Sequence, residues 1–143
     1  MKRALFAAAL ALLGATAGAP QPQDGQDLTT EQARVVARQA LHAGRFDLAR
    51  DIGLALVRAD PEDSFAYGVL AAAHARLDDP KLARAAARLA YRHSDTPDKK
   101  FGAARTAARI AYQQERHTVS QAWLRLAATH AGTDEQDQLL ARD

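Results

Sequence analysis

Apolar residues recur at helical spacing in six successive stretches, with polar turn signals between them. The first stretch runs from about Thr30 to Ala43. Leu28 is placed to staple its entry, Thr29 to cap it, and Gln32 to complete a capping box. Gly44 stops it, as glycine does just beyond a helix end. A second helix is expected from about Phe46 to Arg58. A third is expected from about Glu62 to Leu77, with Asp60 as its cap and Pro61 at its first position. Asp79-Pro80 repeats that signal before a fourth helix that reaches about His93. Thr96-Pro97 opens a fifth, to about Gln114, and a sixth covers about Thr118 to His130. Thr133-Asp-Glu-Gln136 is another capping box, opening a short last helix around Asp134 to Ala141. No segment alternates at period two over the length of a strand, so the expected fold class is all-α.

These stretches repeat. Ala33, Tyr67 and Phe101 share one register at a spacing of 34 residues, as do Val36, Leu70 and Ala104, and Ala40, His74 and Ala108. In the second half of the unit, Ala49 matches Ala83, Leu56 matches Ala90 and Arg58 matches Arg92. Such a period, with two helices per unit, predicts an antiparallel helix-pair solenoid of about three units plus a short C-terminal helix. Units of this kind bury little alone and gain stability by stacking, which leaves a groove for a partner. The third unit is displaced. The best match to Ala83 is Ser120 rather than position 117, so the fifth helix or its turn has gained about three residues.

Composition fits close helix packing. Hydrophobic residues make up 48% of the chain, but alanine dominates and aromatics are only 6%, which favours helices that approach through small side chains. With no cysteine there is no disulfide, thiolate metal site or thiol nucleophile.

The N-terminus has a different character. Met1-Lys2-Arg3 is followed by an apolar run from Ala4 to Leu13 and then by small residues, the layout of a secretory signal peptide. Ala15-Thr16-Ala17 fits cleavage after Ala17. Ala17-Gly18-Ala19 also fits, although Pro20 would then follow the cut. The expected organisation is a signal peptide at 1–17, a flexible Gly/Pro/Gln/Asp leader at 18–28 and a helical repeat domain at 29–143. No cysteine follows the apolar run to take a lipid, so the expected destination is the periplasm or the exterior, with no membrane span after signal removal. Taking Lys2 and Arg3 from the 19 basic residues leaves 17, against 17 acidic ones. The mature chain is thus formally neutral and lacks the net basic footprint of a nucleic-acid binder.

The helical pattern resembles the tetratricopeptide repeat family. Gly44-Arg-Phe-Asp-Leu-Ala49 is similar to the family's turn and second-helix start, and Ala59-Asp60-Pro61-Glu62-Asp63 to its closing Asp-Pro and polar loop. Tyr67, Leu70, Ala71, Ala83, Ala87 and Ala90 stand at its packing positions. Departures are Ala33 in place of an aromatic, Gly53 in place of a large residue, and the irregular third unit. A narrower likeness runs from Ala108 to Ala127. That segment resembles the end of the repeat region in outer-membrane proteins similar to the surface lipoprotein assembly modifier, which carry an exported repeat domain ahead of a β-barrel.

The family resemblance implies a concave groove lined by the first helix of each unit. Its usual positions fall on Arg34, Arg38 and His42 in the first unit. In the second they fall on Phe65, Gly68, Ala72 and Arg76, and in the third on Lys99, Gly102, Thr106 and Arg109. Cations with one aromatic anchor and few carboxylates suit an acidic or C-terminal peptide segment. The alternative is an ordinary solvated helix face. The asparagines of the family's carboxylate clamp are missing.

Candidates for chemistry are sparse. His42, His74, His93, His117 and His130 form no His-x₃-His or Glu-x-x-His pair, so neither metal nor cofactor is implied. Glu62-Asp63 and Asp78-Asp79 each open a helix, where negative charge complements the dipole. Tyr112 and Trp123 are expected to pack the sixth helix on the fifth. Val119, Ala122, Trp123, Leu124, Leu126 and Ala127 make a wide stripe that Leu139 and Leu140 could cover, or that could dock another repeat, a barrel domain or a second copy. The reading that follows is an exported scaffold binding a protein or peptide, without catalysis. Its rivals are the repeat domain of an outer-membrane assembly system and, in another class, a small periplasmic enzyme with a pocket joining His74, Arg38 and Arg76.

Overall fold

A computed structural model describes residues 28–131. The signal segment, all of the leader except Leu28, and the helix expected at 134–141 lie outside the described residues. Six helices occupy the described chain, and no strand is found within it. They are α1 (Thr30–His42), α2 (Phe46–Ala59), α3 (Ser64–Arg76), α4 (Pro80–Arg92), α5 (Pro97–Gln113) and α6 (His117–Ala128). None of them is long and apolar enough to cross a membrane.

Each helix packs on the next, and α3 also touches α1 and α5. Side-chain contacts fix the directions. Arg76 at the end of α3 lies over Phe46 at the start of α2, so these two helices run antiparallel. Arg34 in the first turns of α1 reaches Asp63 at the start of α3, so α1 and α3 run parallel.

The entries to the helices are local in origin. Thr29 Oγ1 accepts from the Gln32 N–H at 3.2 Å, and Gln32 Oε1 accepts from the Thr29 N–H at 2.8 Å, the expected capping box. Leu28 packs on the adjoining core. Asp79 caps α4 through the Leu82 N–H, and Thr96 caps α5 through the Lys99 N–H. The start of α3 differs from expectation. The Asp60 carboxylate accepts from the Glu62 N–H, within the preceding turn, and the cap is Asp63. Asp63 Oδ1 accepts from the Phe65 and Ala66 N–H groups, while Oδ2 accepts from Arg34 at 3.0 Å. The ion pair with α1 draws this carboxylate inward, leaving Asp63 buried at 6% exposure, so α3 begins three residues later than the Asp-Pro signal suggests.

Three turns reverse the chain inside the pairs, and they are alike. Each has a left-handed residue at its centre: Gly44 at φ 73°, Asp78 at φ 58° and Glu115 at φ 58°. In each, the following N–H reaches back five residues: Arg45 to Ala40, Asp79 to His74, and Arg116 to Ala111. This is the Schellman closure of a helix end. The turns stand 34 and then 37 residues apart, which locates the slip in the third unit. The extra three residues lengthen the helix itself: α5 has 17 residues against 13 in α1 and α3, starting one residue early in the register and ending three late, and the turn is unchanged.

Two cores result. The first joins α1, α2 and α3 around Leu48, Ile52, Leu56 and Val69, with alanines where helices approach. At Gly53 an added Cβ would stand 2.9 Å from Leu70 Cδ2, so this glycine permits the close crossing of α2 and α3. The second core joins α3, α4 and α5 around Leu70 and Ile110 with Ala71, Ala83, Ala86, Ala87 and Ala107. α3 serves both, with Ala66, Val69 and Ala73 on one side and Leu70 and Ala71 on the other.

Candidate functional site

The odd-numbered helices form the wall of an open cleft. α1 supplies Arg38, α3 supplies Phe65 and Gly68, and α5 supplies Lys99, Thr106 and Arg109. Its volume is about 430 Å³, and no carboxylate lines it. Ala72 and Gly102 line it as the resemblance implies. Gly68 and Gly102 occupy equivalent positions, and an added Cβ at either would meet nothing within 4 Å. The floor is open because two side chains are missing.

Each cation is held differently. The Arg38 guanidinium carbon lies 5.7 Å from the centroid of the Phe65 ring, an electrostatically favourable stacking that presents its charge beside an apolar surface. The Lys99 ammonium is already bonded to Asp95 Oδ1 at 2.7 Å, and this hydrogen bond chiefly lowers the Asp95 carboxyl below its usual range. Arg109 is exposed and takes part in no ion pair among the described residues. Thr106 Oγ1 donates to the Gly102 carbonyl at 3.0 Å, so its hydroxyl faces a ligand as an acceptor.

Three residues expected in the groove do not line this cleft. Arg34 is engaged by Asp63 and Glu31, and its charged state is reinforced mainly by the hydrogen bond to Asp63. Arg34 still lies 5.7 Å from the Phe65 ring, so its contribution is to hold α1 on α3 and to set the ring. Arg76 is drawn to the opposite neighbour, 5.3 Å above Phe46 of α2. His42 stands exposed at the last position of α1, beyond the lining residues. Nor does the cleft bring His74 and Arg76 to Arg38, the triad on which an enzymatic pocket would rest. Among the described residues no group of three or more His, Asp or Glu gathers to hold a metal.

Beyond α5 the surface stays open. Gly102, Thr106 and Arg109 also border a second hollow of about 580 Å³ between α5 and α6, where Tyr112 is 64% exposed and Leu124 is 52% exposed. Of the C-terminal stripe singled out in the sequence, Leu124 borders this hollow, Ala127 is buried, and Val119, Trp123 and Leu126 are half-buried and do not line it. Ser120, which stands where the other units have alanine, is buried and donates to the Ala108 carbonyl at 2.9 Å.

A third hollow was not legible from motifs. It is lined by α4, α5 and α6 and has a volume of about 250 Å³. Trp123, Ile110 and three alanines give it apolar walls, and Arg84, Arg88 and Arg116 are its charged residues. The signal for it was indirect: α4 carries Lys81, Arg84, Arg88 and Arg92 and no acid. Comparison of the chain with family models, with curated proteins and with solved structures gave no match.

Proposed function

We propose that the chain is an exported, non-catalytic helical-repeat scaffold of the tetratricopeptide type that holds an acidic protein or peptide segment. What supports the repeat reading is the recurrence of one turn geometry at Gly44, Asp78 and Glu115, together with the contacts of α3 to both α1 and α5. The observation that carries the binding reading is the cleft between α1, α3 and α5. It sets Arg38, Lys99 and Arg109 around Phe65 with no lining carboxylate. A peptide carboxylate there gains charge-assisted hydrogen bonds, and an aliphatic or aromatic neighbour gains the Phe65 face.

The test is fluorescence anisotropy of a labelled Asp/Glu-rich peptide carrying one leucine, titrated with the protein from residue 18 onward. Arg38→Glu with Arg109→Glu should abolish binding at an unchanged helical circular-dichroism signal. Arg76→Glu, which lies outside the cleft, should retain it. Gly68→Leu should block binding by filling the floor. No anisotropy change with the unmodified protein, or equal loss in all three variants, overturns the reading. Export is tested separately by N-terminal sequencing of the expressed protein, which should begin at Gly18 or Pro20.

The exposed Tyr112 and Leu124 favour a second reading, in which this end abuts a further domain or chain, such as the barrel of an outer-membrane assembly system. Amphipathic strands encoded beyond Asp143, or in a neighbouring gene, would support it. Their absence removes it.

A further inference from the structure

The hollow between α4 and α6 has a charge history that can be read by comparing equivalent helices. In α2, Arg50 bonds to Asp47 at 3.0 Å and to Asp51 at 3.0 Å. The equivalent residue in α4 is Arg84, and the positions of the two aspartates are taken by Lys81 and Ala85. Arg84 instead donates to the neutral Gln114 Oε1 at 2.6 Å. Leu54 of α2 is replaced by Arg88. Among the described residues, no ion pair involves Arg84, Arg88 or Arg116. All three line one hollow, and no carboxylate lines it with them.

The opposite character sits beside this charge. Ala87, Ala107 and Ala111 contribute only methyl groups, so the helices leave space that Ile110, Val119 and Trp123 line with apolar surface. At about 250 Å³ the hollow has room for about eight water-sized groups. It shares no lining residue with the cleft between α1, α3 and α5.

We propose that this hollow is a second binding site, for a short amphipathic carboxylate. The ligand is an aliphatic chain of about eight carbons, sized to the cavity, lying on Trp123 and Ile110, with its carboxylate held by Arg84, Arg88 and Arg116. The apolar part supplies burial and the arginines supply selection by sign. A free fatty acid and an acidic peptide ending in leucine share this chemistry.

Trp123 is the chain's one tryptophan, so its emission reports this site without a label. The protein is titrated with octanoate, octanol, octylammonium and acetate, and with an acetylated Leu-Leu carboxylate to tell the two sources apart. Octanoate or the dipeptide should change Trp123 emission saturably, and octylammonium and acetate should not. Octanol should bind at least tenfold more weakly than the carboxylate of the same length. Arg88→Glu and Arg116→Glu each should raise the octanoate Kd about tenfold. Arg92→Glu makes the same charge change on the same helix outside the hollow, and should leave the Kd within twofold. Absence of saturable change with both carboxylates, octanol binding equal to octanoate, or Arg92→Glu acting as strongly as Arg88→Glu would each overturn the proposal.

Discussion

α2 and α4 occupy equivalent places in successive units, yet they are built for different ends. α2 buries Leu48, Ile52 and Leu56, and its Arg50 is closed off by two aspartates. The equivalent residues in α4 are Leu82, which is 49% exposed, and the buried Ala86 and Ala90. Its Arg84 and Arg88 line a hollow in which no carboxylate faces them. The backbone frame is the same, down to the left-handed turn residue. What differs is side-chain volume and the sign of nearby charge. A repeat therefore fixes where side chains stand, and substitution at matched positions decides whether a helix fills a core or leaves a site.

The largest effects should come from the cores. Ile52→Ala should cost about 3 kcal/mol and Ile110→Ala about 2 kcal/mol by urea unfolding: both are buried, but Ile110 also lines the hollow, where water can enter the space its truncation leaves. An equal or greater loss at Ile110 would break the contrast. Next come the caps. Asp63→Ala should cost about 2 kcal/mol, because it removes two backbone bonds and the Arg34 pair, whereas Asp79→Ala should cost about 1 kcal/mol. Similar losses at both would show that the link from α1 to α3 adds nothing. The turns test the shared frame. Glu115→Gly should gain about 1 kcal/mol, and Gly44→Ala should lose about as much, since only glycine holds the left-handed conformation without strain. Thermal unfolding midpoints moving in the same direction would refute that equivalence. The smallest effect is expected at Arg50→Ala, about 0.5 kcal/mol or less at low salt, because Asp47 and Asp51 are well exposed.

Helix positions were legible because caps and turn residues act locally: Thr29, Asp79 and Thr96 work within a few residues of their own place in the chain. The cap at Asp63 was not legible. Asp60-Pro61 carries the stronger local signal, and Asp63 prevails through Arg34, which is 29 residues away. In the cleft, Arg38, Phe65, Lys99, Thr106 and Arg109 stand where the family resemblance implies groove positions. Arg34 and Arg76 depart because each finds a nearer partner, a carboxylate and an aromatic ring, that register alone does not disclose. The hollow beside Trp123 was hidden for another reason. It depends on the summed volumes of side chains from three helices, and periodicity marks position without size.

The double engagement of α3 has a consequence for how the molecule opens. A helix with Val69 in one core and Leu70 in the other cannot leave either without exposing both. Opening at either end should therefore propagate through α3, so its amides should exchange hydrogen only on global unfolding. Occupancy at one end then protects the other by mass action, through the shared cost of unfolding rather than through any change of shape.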